Sequence, residues 1–475
     1  MVIQLVTVTI ANQAYLCVAG FLVVVPLLPS LSERDTHKEQ LYLGECVLAT
    51  AFGIAIGPYG ANIFNPRSWG STDQVTLEVM RFVLATGVFA IGVELPGTYM
   101  ASNWRSLVFL IVPLMTFGWF ISAGLIIGLF PSLNFTSALV ISACLTPTDP
   151  VINHVPRHIR LLLAAESASN DGMAYPFLTL PIYLTLEATT KSAVGKWLLV
   201  GCLYQVIFGT FFGAVIGTAF RYILKFAHKR NFIDSESFAL QYLALAIFIM
   251  GVANMIGCDE LLACFAAGNA ISWDKKFNEK TEASMFVPLM DLIITSVGFL
   301  YIGAWIPFNT FNAVDLGIAP WRLVVLGISL IALRRIPAIL FLQKLVPDLR
   351  NIRQTLLCGH FGPMGVGAIY ISTLAVSKLP QPNYPPANQI ELLASVTQPI
   401  VSFIFLVSLV VHGLSIPIFA LGERIWNKAR KPEESRTNTV VVSWDEKGPS
   451  SPPDPSNITS DKLQHHQILS MPKEK

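Results

Sequence analysis

Apolar runs of about 20 residues recur along most of this chain, the length a helix needs to cross the hydrocarbon core of a bilayer. No water reaches the backbone there, so every amide in a separate run must be satisfied within that run, which means a helix. Thirteen candidate spans lie near 9–29, 42–59, 77–96, 106–130, 135–152, 160–187, 197–220, 237–256, 259–272, 284–306, 318–341, 355–377 and 393–421. Charged residues make up only 13% of the chain and hydrophobic ones 53%; soluble domains carry about 25% charge. The expected fold class is an all-α polytopic membrane protein with about 13 transmembrane helices over residues 1–425. Residues 426–475, dominated by Ser, Pro, Lys and Asp, are expected to form a disordered cytoplasmic tail.

Basic residues in short loops set the expected orientation, because they are retained on the cytoplasmic side. With the N-terminus outside, the inner loops carry Arg34, Lys38, Arg105, Arg157, Arg160, Arg221, Lys225, Lys229 and Arg230 in the first half. Lys275, Lys276, Lys280, Lys344, Arg350, Arg353, Arg424, Lys428, Arg430 and Lys431 bring them to nineteen. The outer loops carry five: Arg67, Arg81, Lys191, Lys196 and Lys378. This asymmetry predicts an odd number of spans and a cytoplasmic C-terminus. It depends on a break near Gly257-Cys258, because a single helix over 237–272 would leave twelve spans and misplace half the loops.

Other features bound the function by exclusion. The net charge of +2 gives no reason to expect nucleic acid as a partner. All seven cysteines lie in or beside apolar runs and read as packing residues, not disulfides or metal ligands. The first run lacks a basic leader and is long enough to span, so it is not expected to be a cleaved signal. The sequons at Asn134 and Asn457 are discounted, the first for lying tight to the membrane and the second for facing the cytosol. There is no nucleotide loop, metal-ligand cluster or nucleophile–base pairing in a soluble domain, so neither an enzyme nor a cofactor is expected.

Several polar groups sit at apolar depth and need one explanation. Glu166, Asn170 and Asp171 fall inside a run that otherwise reads as a membrane helix. A carboxylate at that depth costs roughly 2.5–3.5 kcal/mol on insertion scales unless paired or wet, and commonly marks an ion or proton pathway. An acid at a helix end, reaching water, is the plainer explanation. Late in the fifth span, Pro147-Thr148-Asp149-Pro150 removes two backbone donors and frees carbonyls. Freed carbonyls and an acid are hard-oxygen ligands suited to a small cation. The twelfth span is interrupted by Gly359-His360-Phe361-Gly362-Pro363-Met364-Gly365-Val366-Gly367. Such glycine spacing also lets helices pack closely. Interruptions at comparable places in two halves instead favour an inverted-repeat transporter with its site near the midplane. Arg334-Arg335 lies within an apolar run and needs a carboxylate, for which Glu166 and Asp171 are candidates. Asp259 and Glu260 open the ninth span and Asp291 lies in the tenth, either lining an access route or sitting at helix ends.

These residues carry a resemblance. Glu166-Ser167-Ala168-Ser169-Asn170-Asp171 resembles the Glu-Ser-x-x-Asn-Asp motif of cation/proton antiporters, and Thr148-Asp149-Pro150 is similar to that superfamily's first broken helix. Leu41-Tyr42-Leu43-Gly44-Glu45, Phe52–Asn62, Gly92-Val93-Glu94-Leu95-Pro96, Ser272-Trp273-Asp274, Tyr301–Phe308 and His360–Ala368 narrow it to the fungal sodium/proton antiporters, over roughly residues 10–425. The resemblance implies an inverted-repeat antiporter fold with two broken crossing helices. A core domain would move against a dimerisation domain, so a homodimer in the bilayer is expected. It implies exchange of Na⁺ or Li⁺, and in some members K⁺, for H⁺, serving salt tolerance and pH and cation homeostasis. The plasma membrane is the expected location, with K⁺/H⁺ exchange on an internal membrane the alternative. Members often have Asp-Asp where this chain has Asp259-Glu260, and the tail is short beside the longest members.

The expected mechanism is alternating access with one shared carboxylate. Asp171 binds a dehydrated cation or a proton, never both, which couples the two fluxes. Thr148, Asp149 and freed carbonyls complete the coordination of the transported ion, and Asn170 donates a hydrogen bond that holds the site. Glu166 pairs with Arg335, or failing that with Arg334. Gly362, Pro363, Gly365 and Gly367 form the second broken helix. A cation channel would instead pass ions at near-diffusive rates without saturable, pH-driven exchange.

Overall fold

A backbone that must satisfy its own amides away from water becomes helical. The computed structural model describes residues 9–24, 44–149, 156–230, 232, 235–273 and 286–430, and among these the regular elements are all helices. The first seven are α1 (Ile10–Val24), α2 (Glu45–Ile56), α3 (Thr72–Glu94), α4 (Trp104–Leu129), α5 (Phe135–Cys144), α6 (Arg157–Leu186) and α7 (Thr190–Lys229). Then come α8 (Ser235–Ile256), α9 (Glu260–Ser272), α10 (Phe286–Trp305), α11 (Pro320–Leu333), α12 (Ile336–Leu342), α13 (Ile352–His360), α14 (Val366–Ser377) and α15 (Gln389–Arg430). Among the described residues, five stretches, Thr72–Glu94, Trp104–Leu129, Thr190–Lys229, Pro320–Leu345 and Gln389–Ser415, are long and apolar enough to cross a membrane. Met1–Leu421 forms one unit and Gly422–Lys475 another, of which residues 422–430 are helical. Arg34, Lys38, Pro150, Lys275, Lys276, Lys280 and residues 431–475, where most of the tail is expected, lie outside the described residues.

Local chemistry accounts for the irregular points. Pro113 sits in a widened π-helical turn at Leu110–Leu114 of α4, where its missing N–H breaks the regular ladder. The stretches expected near 318–341 and 355–377 are each two helices, parted at Arg334-Arg335 and at Phe361–Gly365. α5 has 10 residues and α14 has 12, too few to cross a bilayer alone at 1.5 Å per residue. Between α8 and α9 the chain breaks at Gly257, whose φ of +76° is left-handed backbone that favours glycine. Asp259 then caps α9, its Oδ1 accepting from the Leu262 N–H at 2.9 Å. The freed carbonyls at the break are claimed by α7, with the Tyr204 hydroxyl donating to Ile256 and the Gln205 amide to Gly257, each at 2.6 Å.

One expectation is corrected. Arg81 was assigned to an outer loop, but it lies within α3, 7% exposed, and its Nε donates to Glu260 Oε1 at 2.8 Å. The span expected over 77–96 already contains Arg81, and α3, which begins at Thr72, places it more than two turns into the helix. A guanidinium that finds a buried carboxylate has no need of a loop.

α9 is clasped between α3 and α7 along glycine seams. Gly213 and Gly217 of α7 lie so close to α9 that an added Cβ would fall 2.0 Å from the Ala263 carbonyl oxygen and 2.4 Å from that of Ala267. On the other side, a Cβ on Gly92 of α3 would lie 2.6 Å from the Phe265 oxygen. Small residues spaced by four let backbones approach in lipid, where close packing drives helix association. Gly213→Val is therefore expected to destabilise the protein by about 1–3 kcal/mol through overpacking. Thermal unfolding of the detergent-solubilised chain measures this, and an unchanged midpoint would remove the seam's structural role.

Candidate functional site

The central helix α6 places Glu166 and Asn170 four residues apart, on one face, with Asp171 one step around from Asn170. All three are buried, and Asp171 is 3% exposed. Beside them runs the stretch that follows α5. There the Asn170 side chain takes the place of a missing turn of helix: its Oδ1 accepts from the Thr148 N–H at 3.1 Å and its Nδ2 donates to Thr148 Oγ1 at 2.7 Å. The Ser167 hydroxyl donates to the Thr148 carbonyl. Backbone groups that Pro147 leaves without helical partners are thus satisfied by side chains of α6.

The two interruptions meet each other. The Asp149 N–H donates to the Pro363 carbonyl at 2.9 Å, and Asp149 Oδ2 accepts from the Val366 N–H at 2.8 Å. Asp149 therefore caps α14, where a carboxylate is favoured by the exposed N–H groups. The glycines of the second interruption are explained by these approaches. A Cβ on Gly365 would lie 1.5 Å from Asp149 Oδ2, and one on Gly367 would lie 2.8 Å from Asp171 Oδ1. A Cβ on Gly362 would lie 2.8 Å from Arg335 Cδ. Met364 is held from the far side, its N–H donating to Ser408 Oγ of α15 at 2.8 Å.

Arg334 and Arg335 divide the remaining work. Arg335 grips Glu166 with two parallel hydrogen bonds, Nη1 to Oε1 at 2.5 Å and Nη2 to Oε2 at 2.7 Å, and its Nε donates to the Cys358 carbonyl at 3.0 Å. This is the fork geometry that makes Arg the residue for a buried carboxylate. Arg334 donates to the Leu145 carbonyl and, at 2.8 Å, to the Gly362 carbonyl. It thereby satisfies the C-terminal ends of both half-helices, α5 and α13, where the exposed carbonyls favour a cation.

Asp171 stands apart from this bonding. Its Oδ1 is buried and has no hydrogen-bond partner. Asp171 lines a small cavity with Gly172, Tyr175, Asp259, Glu260, Leu261, Tyr370 and Ile371. A second cavity, on the other side of α6, is lined by Thr148, Glu166, Asn170, Arg334 and Arg335 among others. Asp259 and Glu260 thus lie with Asp171, whereas Asp291 is exposed on α10 and lines neither cavity. Arg81, Tyr370 and Ser408 are contributors that the sequence reading did not single out. Arg81 carried a signal, a lone charge within an apolar run, whereas a tyrosine or serine in a membrane helix carries none.

A buried carboxylate oxygen without a hydrogen-bond partner, set where two interrupted helices meet inside apolar spans, is the arrangement expected of a membrane ion transporter. Residues 23–422 match the family described as sodium/hydrogen exchanger, transmembrane. The chain belongs to the sodium/hydrogen exchanger family. It is 44% identical over 409 residues to a probable Na⁺/H⁺ antiporter of Schizosaccharomyces pombe, covering 82% of this chain and 54% of that protein. It is 41% identical over 443 residues to a Na⁺/H⁺ antiporter of Saccharomyces cerevisiae, covering 87% and 44%. A second S. pombe Na⁺/H⁺ antiporter is 37% identical over 413 residues, covering 83% and 87%. The chain thus spans about half the length of the first two relatives. Its fold matches that of a sodium proton antiporter from Methanocaldococcus jannaschii, with a TM-score of 0.62 at 15% identity, covering 87% of this chain and 99% of that one.

The buried pair makes a direct prediction. Arg335→Ala leaves Glu166 without its counter-charge, which should cost about 3–5 kcal/mol. Adding Glu166→Gln should restore part of that loss, because the uncompensated charge is gone. A double-mutant cycle on thermal stability reads the coupling, and strictly additive losses would mean the two side chains do not compensate each other.

Proposed function

We propose that the chain is a secondary active antiporter that exchanges Na⁺, Li⁺ or K⁺ for H⁺ by alternating access. The observation that carries the reading is Asp171 Oδ1, a buried carboxylate oxygen with no protein partner at the edge of a cavity. An ionised carboxylate in that position calls for a counter-ion, and a proton or a small dehydrated cation supplies it. Because one oxygen pair cannot hold both, loading one ion expels the other, and that competition couples the fluxes.

The neighbouring residues take supporting roles in this reading. Asn170 and Thr148 lock the central helix to the first interruption. Asp149 flanks the same first turn of α14 as Asp171 and offers further oxygen to the ion. Asn170 beside Asp171 leaves one acid in that pair, which favours one-for-one exchange. Asp259 and Glu260 line the approach to Asp171 at that cavity. The Glu166–Arg335 pair and Arg334 hold the moving core together without touching the ion.

The setting follows from the same reading. The protein works as a homodimer in the plasma membrane, supporting salt tolerance and pH and cation homeostasis. Its N-terminus is outside and its C-terminus cytoplasmic. With Arg81 inside α3, the outer loops keep only Arg67, Lys191, Lys196 and Lys378 against the cytoplasmic excess.

Substitution of Asp171 tests the proposal. Asn is nearly isosteric and can hold the same place within α6, so a purely structural role predicts intact transport. A shared carrier predicts a folded, membrane-inserted Asp171→Asn protein with no exchange. Asp171→Glu should keep residual activity with an altered apparent affinity. The measurement is dissipation of a preset pH gradient in proteoliposomes on adding Li⁺, Na⁺ or K⁺, at matched protein amounts. Near-normal exchange by Asp171→Asn would sink the mechanism, and flux that does not saturate with cation would point to a channel.

A further inference from the structure

Three acids, Asp171, Asp259 and Glu260, line one small cavity, and one of them is restrained. Glu260 Oε1 accepts from Arg81 Nε at 2.8 Å and from the Tyr370 hydroxyl at 2.5 Å. These two donors come from different helices, α3 and α14, so the clasp ties α3, α9 and α14 around the carboxylate. Arg81 is 7% exposed and also donates from Nη1 to Glu78, whose side chain is 61% exposed. The guanidinium thus reaches from the exposed Glu78 at one end to Glu260, which lines the cavity, at the other. Tyr370 lies three residues after Gly367, the glycine that faces Asp171 Oδ1, so the clasp and the open oxygen share one turn of α14.

We propose that Arg81 is a positioning residue that sets how tightly the Asp171 cavity holds a cation, by keeping the Glu260 carboxylate occupied and its charge offset. The inference rests on the reading of Asp171 as the carrier. An acid gathered by an arginine and a hydroxyl is not available to a cation, and its field at the cavity is largely cancelled. Without Arg81 the cavity would hold uncompensated negative charge and bind cations too tightly to release them. An exchanger needs the opposite, a site weak enough to empty on each side. The other titratable groups lining this cavity are Asp259 at the start of α9 and Tyr175 on α6, and Lys378, just past α14, meets that tyrosine. Lys378 Nζ lies 3.3 Å from the Tyr175 hydroxyl. None of the three is hydrogen-bonded to Glu260 Oε1, so the direct offset comes from Arg81, with Lys378 acting on Glu260 only through space.

The test measures half-saturation for Na⁺ and Li⁺ in proteoliposomes of the full chain, at alkaline pH where protons compete least. Cation-induced thermal stabilisation in detergent gives a second readout that needs no turnover. Arg81→Gln is expected to lower half-saturation on the order of tenfold and to slow maximal exchange. Glu260→Gln, which leaves Arg81 unbalanced beside the cavity, is expected to raise it by a similar factor. The Arg81→Gln/Glu260→Gln pair is expected to return it close to the parent value, since the two charges cancel. Unchanged half-saturation in Arg81→Gln, with only yield or maximal rate reduced, would mean that the clasp merely fastens helices, and would overturn the proposal. If Arg81→Gln does not reach the membrane, an unchanged Glu260→Gln overturns it equally. A double variant as weak as Glu260→Gln alone would make Glu260 itself a ligand and also reject it. These outcomes are separable from the reading beneath them. Loss of exchange in Asp171→Asn beside an unresponsive Arg81→Gln rejects only this inference, whereas retained exchange in Asp171→Asn rejects the carrier.

Discussion

The structure depends on how an interrupted helix is satisfied away from water. Each of two half-helix pairs leaves N–H and carbonyl groups without intrahelical partners, and inside a bilayer no solvent makes up the loss. The chain answers with side chains of fixed charge. Asp149 takes the N–H at the start of α14, and Arg334 takes carbonyls at the ends of both α5 and α13. Asn170 and Ser167 take the backbone of Thr148 from the side. Negative groups therefore sit at helix starts and positive ones at helix ends, as the helix dipole favours.

Once those demands are met, almost every polar atom near the crossing is committed. Glu166 is bound by Arg335, Thr148 by Asn170, and Glu260 by Arg81 and Tyr370. Among the described acids, Asp171 is the one with a buried oxygen that has no hydrogen-bond partner. An open oxygen on one acid, where the neighbouring acids are bound, has a functional meaning that the same residue would lack among other unsatisfied acids. The surrounding bonds also stiffen the helices that carry Asp171, which fixes the position of its carboxylate.

Close packing supports the same end. α9 brings Asp259 and Glu260 to the cavity only because glycines in α3 and α7 let it lie against both helices. The glycines of the second interruption serve a different purpose. Those at 365 and 367 face Asp149 and Asp171, and the one at 362 faces Arg335. The short segment thus accepts three charged side chains at distances that any Cβ would prevent. Packing and site chemistry, which are alternatives from the sequence, are joined here by one residue type.

The sequence by itself determined the helical membrane class, the interruptions at Pro147 and Gly359–Gly367, and the family. Apolar length, proline chemistry and the Glu166–Asp171 motif are local properties that need no partner to be read. It also narrowed the partners of Arg335 to Glu166 or Asp171, because a buried guanidinium needs a carboxylate and few exist at that depth. Only the tertiary structure decided how the charges are shared. Arg334 and Arg335 are adjacent and identical in type, yet one satisfies two helix ends and the other a carboxylate, because the break between α11 and α12 points them differently. The role of Arg81 was hidden for the same reason. Its partner lies 179 residues away, and pairing across that distance is fixed by which helices pack, not by any pattern along the chain.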